Sequence, residues 1–505
     1  MIEQEFRNEL AQLIEAKNIS SDATILERYS RDQSFVTTRK PNYVVWPEKT
    51  NDVQNIIRAA NQYKLPVVPY SSGKNFVGAS IPSEGGILVD LSSMKAISQI
   101  DETNWNVTVE PGVTFKQLNA ELAKHGLRAS CPLMSPPSAS VVSTYLERVP
   151  VATAADFSYG NELIVDFDVV LPSGELFTVG NPSLPGSPHA QPYGPGINFF
   201  RLFVGAQGTL GVVTRMTVRT IPIPAMRRIL FMAFDKVSDV LEAIRVIQRR
   251  EIGLECFALN GFNLASIIAN ESAADSNALR EGEYVGSYGA KRWTEEQRTE
   301  FESLRKTLPL WTLLVCLAGV KRFPEERIAY EEEALKEVVG KLGIAPRQTV
   351  AGLFGIEELF KEELLQPWRT GKKFGYMGSC CSLMFYSESR RVTEFQDILH
   401  QSAVKYDYPI KDIGGYILPV ERGRAIYCEF DLHSDINNTE NTENVKRLNT
   451  KASKALIEAG AYFDRPYGVW ADLIYSRTGT YTEYLKKLKA ELDPNNIMNP
   501  GKLCF

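Results

Sequence analysis

Two glycine-containing turns have residue types that could hold a ligand. The first, Tyr70 to Gly78 (YSSGKNFVG), follows a short apolar segment, and successive backbone N–H groups in such a turn can surround a diphosphate. The second, Phe203 to Gly211 (FVGAQGTLG), has glycines at 205, 208 and 211, which allow the backbone to approach a flat ligand closely. Taken alone, the first could be an ordinary surface turn and the second a point of tight sheet packing.

A third candidate is the C-terminal segment Asp493 to Lys502 (DPNNIMNPGK). Its polar turns could contact a cofactor, with Lys502 close to phosphate, although the same pattern is typical of a loop that ends a helix. The glycine spacing in 203–211 is not the GxGxxG that opens nicotinamide-dinucleotide folds. This difference argues against a nicotinamide as the resident cofactor.

The composition indicates a globular chain of two or three domains. The chain has 505 residues, 44% of them hydrophobic, and 56 Lys+Arg against 61 Asp+Glu give a net charge of −5. The slightly acidic balance argues against nucleic-acid binding, which requires a basic face. Seven cysteines without a CxxC pair and four dispersed histidines argue against a disulfide framework and a metal site. They favour a reducing compartment, such as the cytoplasm.

No segment of the sequence is expected to cross a membrane. Met1 to Leu10 is polar and carries acidic residues, unlike a signal peptide. The longest apolar run, Leu308 to Val320, is shorter than the roughly 20 residues that a spanning helix needs. We predict that this run is a buried strand.

Hydrophobic periodicity predicts two regions that meet near Pro222 and Pro224. The first has strands near 43–46, 66–69, 86–91, 105–110, 164–171 and 212–219. Its helices begin at capping-box patterns, Asn51 with Gln54 and Thr114 with Gln117. The second region has strands near 229–234, 311–317, 382–386 and 425–431 and helices near 237–250, 324–342, 392–406 and 444–460. This order favours an antiparallel sheet covered by helices.

The sequence motifs, taken in their order and spacing along the chain, resemble those of the vanillyl-alcohol oxidase / p-cresol methylhydroxylase family of flavoproteins. The resemblance is carried by VPYSSGKN (68–75), VEPGVTF (109–115), PSASVVSTYLER (137–148), SYG (158–160), VVLPSGEL (169–176), 205–214 and 493–502. It implies an α+β, two-domain FAD-binding fold. Residues 1–224, completed by 470–505, would bind FAD, and residues 225–469 would form an antiparallel-sheet cap with the substrate site.

The resemblance implies that FAD lies extended between the two domains. The expected cofactor-binding residues are Ser71, Ser72, Gly73, Lys74, Asn75, Ser140, Ser143, Tyr159, Gly205, Gly208, Gly211, Val212 and Lys502. We expect noncovalent FAD, because the position of the oxidase's linking histidine falls near Ser382, which cannot form that bond. A covalent link, if present, would be through Tyr376.

The substrate-binding residues depart from the family pattern. The Tyr-Arg pair of the family reads Asp464-Arg465, its second clamping tyrosine falls near Val77, and its His-His stretch reads Arg424-Ala425. Arginine forks hold carboxylates or phenolates, and Asp464 could be a base or merely an arginine's partner. The candidate catalytic residues are therefore Arg465, Arg424, Asp464, Tyr467, Asn161 and Glu162.

The leading interpretation is an FAD-dependent oxidase or dehydrogenase that removes hydride from a benzylic or allylic C–H or alcohol of an aromatic substrate, which could be a phenol. Oxygen or an electron-transfer partner such as a cytochrome would reoxidise the flavin. The alternative is a 2-hydroxy-acid dehydrogenase, favoured by the two arginines and the C-terminal segment. A third interpretation is a non-catalytic flavin-binding subunit, supported by Asn161 at the position of the family's acid. Relatives also favour a homodimer.

Overall fold

The computed structural model describes residues 2–74, 77–153, 163–270, 273–281 and 292–505. Its strands are β1 Ile19–Ser20, β2 Tyr43–Val45, β3 Val67–Tyr70, β4 Ile87–Asp90, β5 Ile97–Asp101, β6 Asn106–Val109, β7 Leu127–Arg128, β8 Ile164–Val170, β9 Leu176–Val179, β10 Val212–Arg219, β11 Ile221–Pro222, β12 Met226–Phe234, β13 Glu255–Asn260, β14 Trp311–Gly319, β15 Gly378–Ser387, β16 Gly414–Val420 and β17 Ala425–Asp435.

The helices cover the sheets. They are α1 Ile2–Leu13, α2 Ala23–Arg28, α3 Thr50–Tyr63, α4 Phe115–Ala123, α5 Val141–Leu146, α6 Phe200–Phe203, α7 Val237–Gln248, α8 Gly261–Ile268, α9 Ala273–Glu281, α10 Glu295–Thr307, α11 Pro324–Gly340, α12 Ile356–Glu363, α13 Val392–Lys405, α14 Thr439–Ala459, α15 Val469–Tyr475 and α16 Thr480–Leu492. Within the described ranges, no helix combines the length and apolar character that crossing a membrane requires.

The first half of the chain forms two sheets. One has the strand order β1-β2-β4-β3, with β2, β3 and β4 parallel, and the other has the order β5-β6-β10-β8-β9. Strand β6 was expected to be half-buried, but all four of its residues are buried, because β5 and β10 flank it and helix side chains cover the sheet. Val53, Ile56 and Ile57 of α3 face the core, as the helical periodicity predicts.

The two expected capping boxes have different outcomes. The box at α4 is confirmed, since Gln117 N donates to Thr114 Oγ1 at 3.3 Å and Gln117 Oε1 accepts from Thr114 N at 3.1 Å. The box of Asn51 with Gln54 is wrong. Helix α3 begins earlier, and the Asp52 carboxylate accepts from the backbone N–H of Lys49 at 3.3 Å.

A six-stranded antiparallel sheet with the order β12-β14-β13-β16-β17-β15 forms the second half. The predicted buried strand in 308–320 is confirmed as β14. Strands β15 and β17 pair so that Ser382 lies opposite Asp431 and Met384 opposite Glu429. Because side chains alternate along a strand, one face of this pair carries Ser382, Asp431 and Glu429, while Phe385 and Phe430 on the other face enter the core.

The C-terminal segment returns to the first half of the chain. Asn499 N donates to the carbonyl of Val67 in β3 at 2.8 Å, and Met498 forms a bridge with the same strand residue. A buried ion pair joins the two halves, with Arg128 Nη2 2.5 Å from Glu255 Oε1. The expected α+β class is confirmed by these mixed layers of helix and sheet.

Candidate active site

Two cavities adjoin each other. One is lined by residues of the first half of the chain and by Asn499, and the other lies between the first half and the six-stranded sheet. The smaller, of about 140 Å³, is a groove, and the larger occupies about 430 Å³. The two cavities have four lining residues in common, Lys74, Ser135, Glu147 and Val149. A ligand in the groove would therefore end at the larger cavity.

The groove is formed by small residues and exposed backbone. The turn after β3 contributes Ser71 to Lys74, helix α5 contributes Ser143, and the loop before β10 contributes Gly208. Gly208 has φ +71°, and a Cβ atom on it would lie 2.8 Å from Pro69 Cγ. Glycine is therefore required there by both conformation and space.

The larger cavity has a mainly apolar and aromatic lining with a few polar groups. Such a lining is typical of small-molecule sites, in which a few polar atoms fix orientation. The apolar and aromatic residues include Phe35, Val36, Val77, Met134, Phe374, Met384, Tyr427, Tyr467 and Trp470.

One side of the larger cavity, which we name the charged wall, consists of Arg465, Tyr427, Glu429 and Lys373. Arg465 Nη2 donates to Tyr427 Oη at 3.1 Å, and Tyr427 Oη donates to Glu429 Oε2 at 2.9 Å. Arg465 Nε has no hydrogen-bond partner among the described residues. The arginine is 6% exposed, so a polar group of a ligand in the cavity could satisfy this donor.

Lys373 completes the charged wall and joins it to a second carboxylate. Its Nζ lies 3.0 Å from Glu429 Oε1 and 2.8 Å from Asp431 Oδ1, and all three residues are buried. Burial opposes the charged ammonium, but Asp431 and Glu429 outweigh that effect and raise the pKa of Lys373. The same ammonium outweighs the burial of Asp431 and lowers the pKa of that carboxyl to about 2. The charges of this cluster are therefore paired.

Glu147 lies where the two cavities meet. Its Oε2 accepts a hydrogen bond from the hydroxyl of Tyr467. Burial raises the pKa of Glu147 to about 7, although the charges of Arg465 and Arg148 act in the opposite direction. A carboxyl group at this junction can thus gain or lose a proton near neutral pH.

Comparison with known proteins identifies the domains that carry these cavities. The profile of an FAD binding domain matches residues 41–180, and that of the C-terminal domain of FAD linked oxidases matches residues 471–503. The chain is 28% identical over 480 residues to the D-lactate dehydrogenase [cytochrome], mitochondrial, of Arabidopsis thaliana. That alignment covers 92% of this chain and 74% of the relative.

Solved structures share the whole fold. The structure of p-cresol methylhydroxylase with substrate bound matches with a TM-score of 0.84 and 19% identity, covering 100% of this chain and 97% of that one. The 4-ethylphenol oxidase from Gulosibacter chungangensis, in complex with isoeugenol, matches with a TM-score of 0.82 and 20% sequence identity. That match covers 99% of this chain and 97% of the other. The chain therefore has the two-domain FAD-binding fold of p-cresol methylhydroxylase. It is an FAD-linked oxidoreductase.

The groove fits FAD. Backbone N–H groups of a turn such as Ser71 to Lys74 suit a diphosphate, and Lys74 adds a positive charge. Asn499, which also lines the groove, has a buried Oδ1 without a hydrogen-bond partner among the described residues. That atom can accept a hydrogen bond from a bound cofactor. Of the expected cofactor residues, those that line the groove are Ser71, Ser72, Gly73, Lys74, Ser143, Gly208, Gly211 and Val212.

Three other expected cofactor residues do not line the groove. The Ser140 hydroxyl caps helix α5, accepting from Ser143 N at 3.2 Å and donating to the Pro111 carbonyl at 2.6 Å. Gly205 packs against the Arg148 guanidinium. Lys502 Nζ donates to the Gly78 carbonyl at 2.9 Å, and burial lowers its pKa to about 8. Asn75 and Tyr159 lie outside the described residues.

Several predicted catalytic residues also lie elsewhere. Arg424 is exposed on the turn between β16 and β17 and lines neither cavity, so the structure gives no support to its predicted role. Tyr376 packs among aromatic rings, including Phe262 at 5.1 Å between centroids, and lines neither cavity. The structure therefore gives no support to a flavin link there. Asn161 and Glu162 lie outside the described residues.

Arg465 and Tyr467 do line the larger cavity, as predicted, whereas Asp464 does not. Asp464 Oδ2 lies 3.7 Å from Arg148 Nε, and Oδ1 lies 3.6 Å from Arg465 Nε. Burial raises its pKa, although both arginines oppose that shift. Asp464 is therefore a buried charge partner of these arginines.

The sequence prediction missed Tyr427, Glu429, Lys373 and Glu147. A signal for the first two was present in β17, where YCEFDLH (427–433) places polar or aromatic residues at every second position between Cys428, Phe430 and Leu432. Acidic residues at alternate positions of a buried strand share one face of the sheet. Because burying charge is costly unless it is paired, such a face indicates a polar site. No local signal distinguishes Lys373 or Glu147 from surface residues.

Proposed function

We propose that this enzyme oxidises an aromatic substrate at a benzylic or allylic carbon, bearing either C–H or alcohol, and holds a phenolic oxygen at the charged wall. The observation that carries the proposal is the Arg465–Tyr427 pair, with 3.1 Å between Nη2 and Oη. This pair faces an apolar cavity that adjoins the proposed FAD groove.

The charged wall suits a phenol because it can bind the oxygen in either protonation state. Arg465 can donate to a phenolate, and a nearby guanidinium lowers the pKa of a bound phenol. Tyr427 is already hydrogen-bonded to Glu429, so its hydroxyl is held in place before a substrate arrives. Because the Tyr427 proton is directed at Glu429, the Arg465 guanidinium is the donor that can stabilise charge developing on the substrate oxygen.

FAD, when bound in the groove, supplies the two-electron acceptor for the reaction. The chain's own residues then bind and orient the substrate. Phe35, Phe374 and Trp470 enclose an aromatic ring and exclude water, while Arg465 fixes the orientation of its polar end. Holding the reacting carbon in one geometry is itself a large part of catalysis.

The similar solved structures support this substrate class. One is p-cresol methylhydroxylase with substrate bound, and the other is a 4-ethylphenol oxidase in complex with isoeugenol. These names describe aromatic ligands of the size that the larger cavity accommodates.

Oxidation of a 2-hydroxy acid is the second candidate, favoured by the similarity to a D-lactate dehydrogenase over 92% of the chain. Arg465 could hold a carboxylate in place of a phenolate. However, Lys373 in the charged wall is already neutralised by Glu429 and Asp431, and Arg465 by Asp464. A small, strongly hydrated anion gains less from such a neutral cluster than a larger aromatic molecule gains from the apolar lining.

The test is anaerobic bleaching of the flavin by a matched substrate panel. 4-Methylphenol and 4-hydroxybenzyl alcohol should bleach it, while D-lactate and glycolate should not. Arg465→Gln should weaken phenol binding, and Arg424→Gln, on the exposed turn, is the matched control. Rapid bleaching by D-lactate alone would refute the phenolic assignment in favour of the second candidate.

We further propose noncovalent FAD, a homodimer, a cytoplasmic location, and oxygen or a cytochrome as electron acceptor. The name of the Arabidopsis relative includes a cytochrome. We also propose the domain limits 1–224 with 470–505 and 225–469, supported by the six-stranded sheet that spans β12 to β17. Acid precipitation should leave the flavin in the supernatant, and limited proteolysis and light scattering should test the domain limits and the dimer.

A further inference from the structure

Glu147 occupies a position that no other described carboxylate shares. It is the one acidic residue, among those that the structure describes, that lines both the groove and the larger cavity. It is half-buried at the end of helix α5, and its carboxylate accepts a hydrogen bond from Tyr467. A group here lies between the cofactor site and the substrate site.

The other acids near the cavity are unsuited to accept a proton from a substrate. Glu429 and Asp431 are held by Lys373 at 3.0 and 2.8 Å. Asp464 is buried outside the cavity lining beside two arginines, and Asp472 is exposed at the cavity rim. This comparison leaves Glu147 as the carboxylate with access to a reacting group.

We propose that Glu147 is the general base that accepts the hydroxyl proton of an alcohol substrate, and that Tyr467 positions it. The inference rests on the proposed function and narrows it, because the reacting carbon then carries a hydroxyl group. The substrate O–H bond breaks, and the proton passes to a Glu147 oxygen. The hydrogen of the C–H bond would leave together with its bonding electron pair as a hydride, which bound FAD would accept, and the alcohol carbon would form a C=O bond with its oxygen.

The charges around Glu147 suit this role. Burial and the neighbouring Asp464 favour the protonated form, while Arg465 and Arg148 favour the carboxylate. Lys74 lines the same junction and Tyr467 donates the hydrogen bond. The balance leaves the pKa at about 7, close to the optimum for a base that works at neutral pH.

The first test is the pH dependence of flavin reduction by an alcohol. In the wild-type holoenzyme, kcat/KM should rise with pH and level off above about 7, the pKa of Glu147. Glu147→Gln should lower the rate by roughly 10²–10⁴-fold and remove this pH dependence. Tyr467→Phe should move the midpoint to higher pH, since loss of a donor disfavours the carboxylate. Glu84→Gln, at an exposed position, is the matched control.

A second readout needs no turnover. The infrared difference between the wild type and Glu147→Gln should contain a protonated-carboxyl band that titrates near neutral pH, with flavin content unchanged. Burial also raises the pKa of Glu363 to about 7, but its band is common to both proteins and cancels in the difference. The proposal is overturned if Glu147→Gln keeps the wild-type rate and pH profile, or if no such band titrates.

The substrate panel separates failure of this inference from failure of the proposed function. If D-lactate rather than an aromatic alcohol bleaches the flavin, the phenolic assignment fails, yet the same variants still test Glu147 with that hydroxy acid. If 4-methylphenol bleaches the flavin and no alcohol does, the phenolic assignment stands and the role of Glu147 is refuted.

Discussion

Replacing Lys373 with methionine should strongly destabilise the six-stranded sheet. The change keeps an unbranched side chain but leaves Glu429 and Asp431 buried without their cation, which lies 3.0 and 2.8 Å away in the native protein. Breaking a buried ion pair by removing one partner costs about 3–5 kcal/mol. For a unit of 150–250 residues, each kcal/mol shifts Tm by about 2–4 °C, so Tm should fall by roughly 6–20 °C.

The loss should depend on pH. In the wild type, Lys373 lowers the pKa of Asp431 to about 2, below the unfolded value of about 3.9. This lowered pKa stabilises the folded protein at pH values above the pKa of Asp431 in the unfolded state. The stabilisation is lost as the pH falls through the pKa of Asp431 in the folded state. Without Lys373, the burial of Asp431 raises the pKa of its carboxyl group above the unfolded value. The folded variant then binds more protons than the unfolded variant. Its loss of unfolding free energy relative to the wild type should therefore be smaller at about pH 5 than at about pH 8.

Thermal unfolding of the holoenzyme at both pH values measures this effect. Lys341→Met is the control, because Lys341 forms an exposed pair with Glu337 that is worth little. The double variant Lys373→Met/Asp431→Asn should recover part of the loss. A Tm for Lys373→Met equal to that of the wild type, or a deficit that is the same at both pH values, would refute the reasoning.

Three further predictions concern single residues. Arg128→Met should lower the free energy of unfolding by about 3–5 kcal/mol, because Glu255 is fully buried and 2.5 Å from the guanidinium. Calorimetry measures this loss, and a Tm unchanged within error would contradict it. Gly208→Ala should reduce the FAD content of purified protein, since its Cβ would lie 2.8 Å from Pro69 Cγ at a positive φ; the ratio of flavin to protein absorbance measures this loss. Tyr376→Phe should leave flavin equally extractable by acid, whereas a switch from retained to released flavin would show a covalent link.

Features that depend on neighbouring residues could be predicted from the sequence. The Thr114 capping box and strand β14 were predicted correctly, because caps and buried strands have patterns within a few residues. The turn of Ser71 to Lys74 was also predicted as a ligand site, and it lines the groove. Together with their order along the chain, these patterns were sufficient to indicate the fold and FAD.

The active-site pairs required the tertiary structure. Arg465 meets Tyr427 across 38 residues of sequence, and Tyr467 meets Glu147 across 320, so no local pattern could join them. The sequence placed Arg424 beside the flavin, but a hairpin turn exposes it. Residue types and spacing therefore determined the fold and the cofactor, whereas strand register and chain return decided which charges face the substrate, because those contacts form only when distant segments pack together.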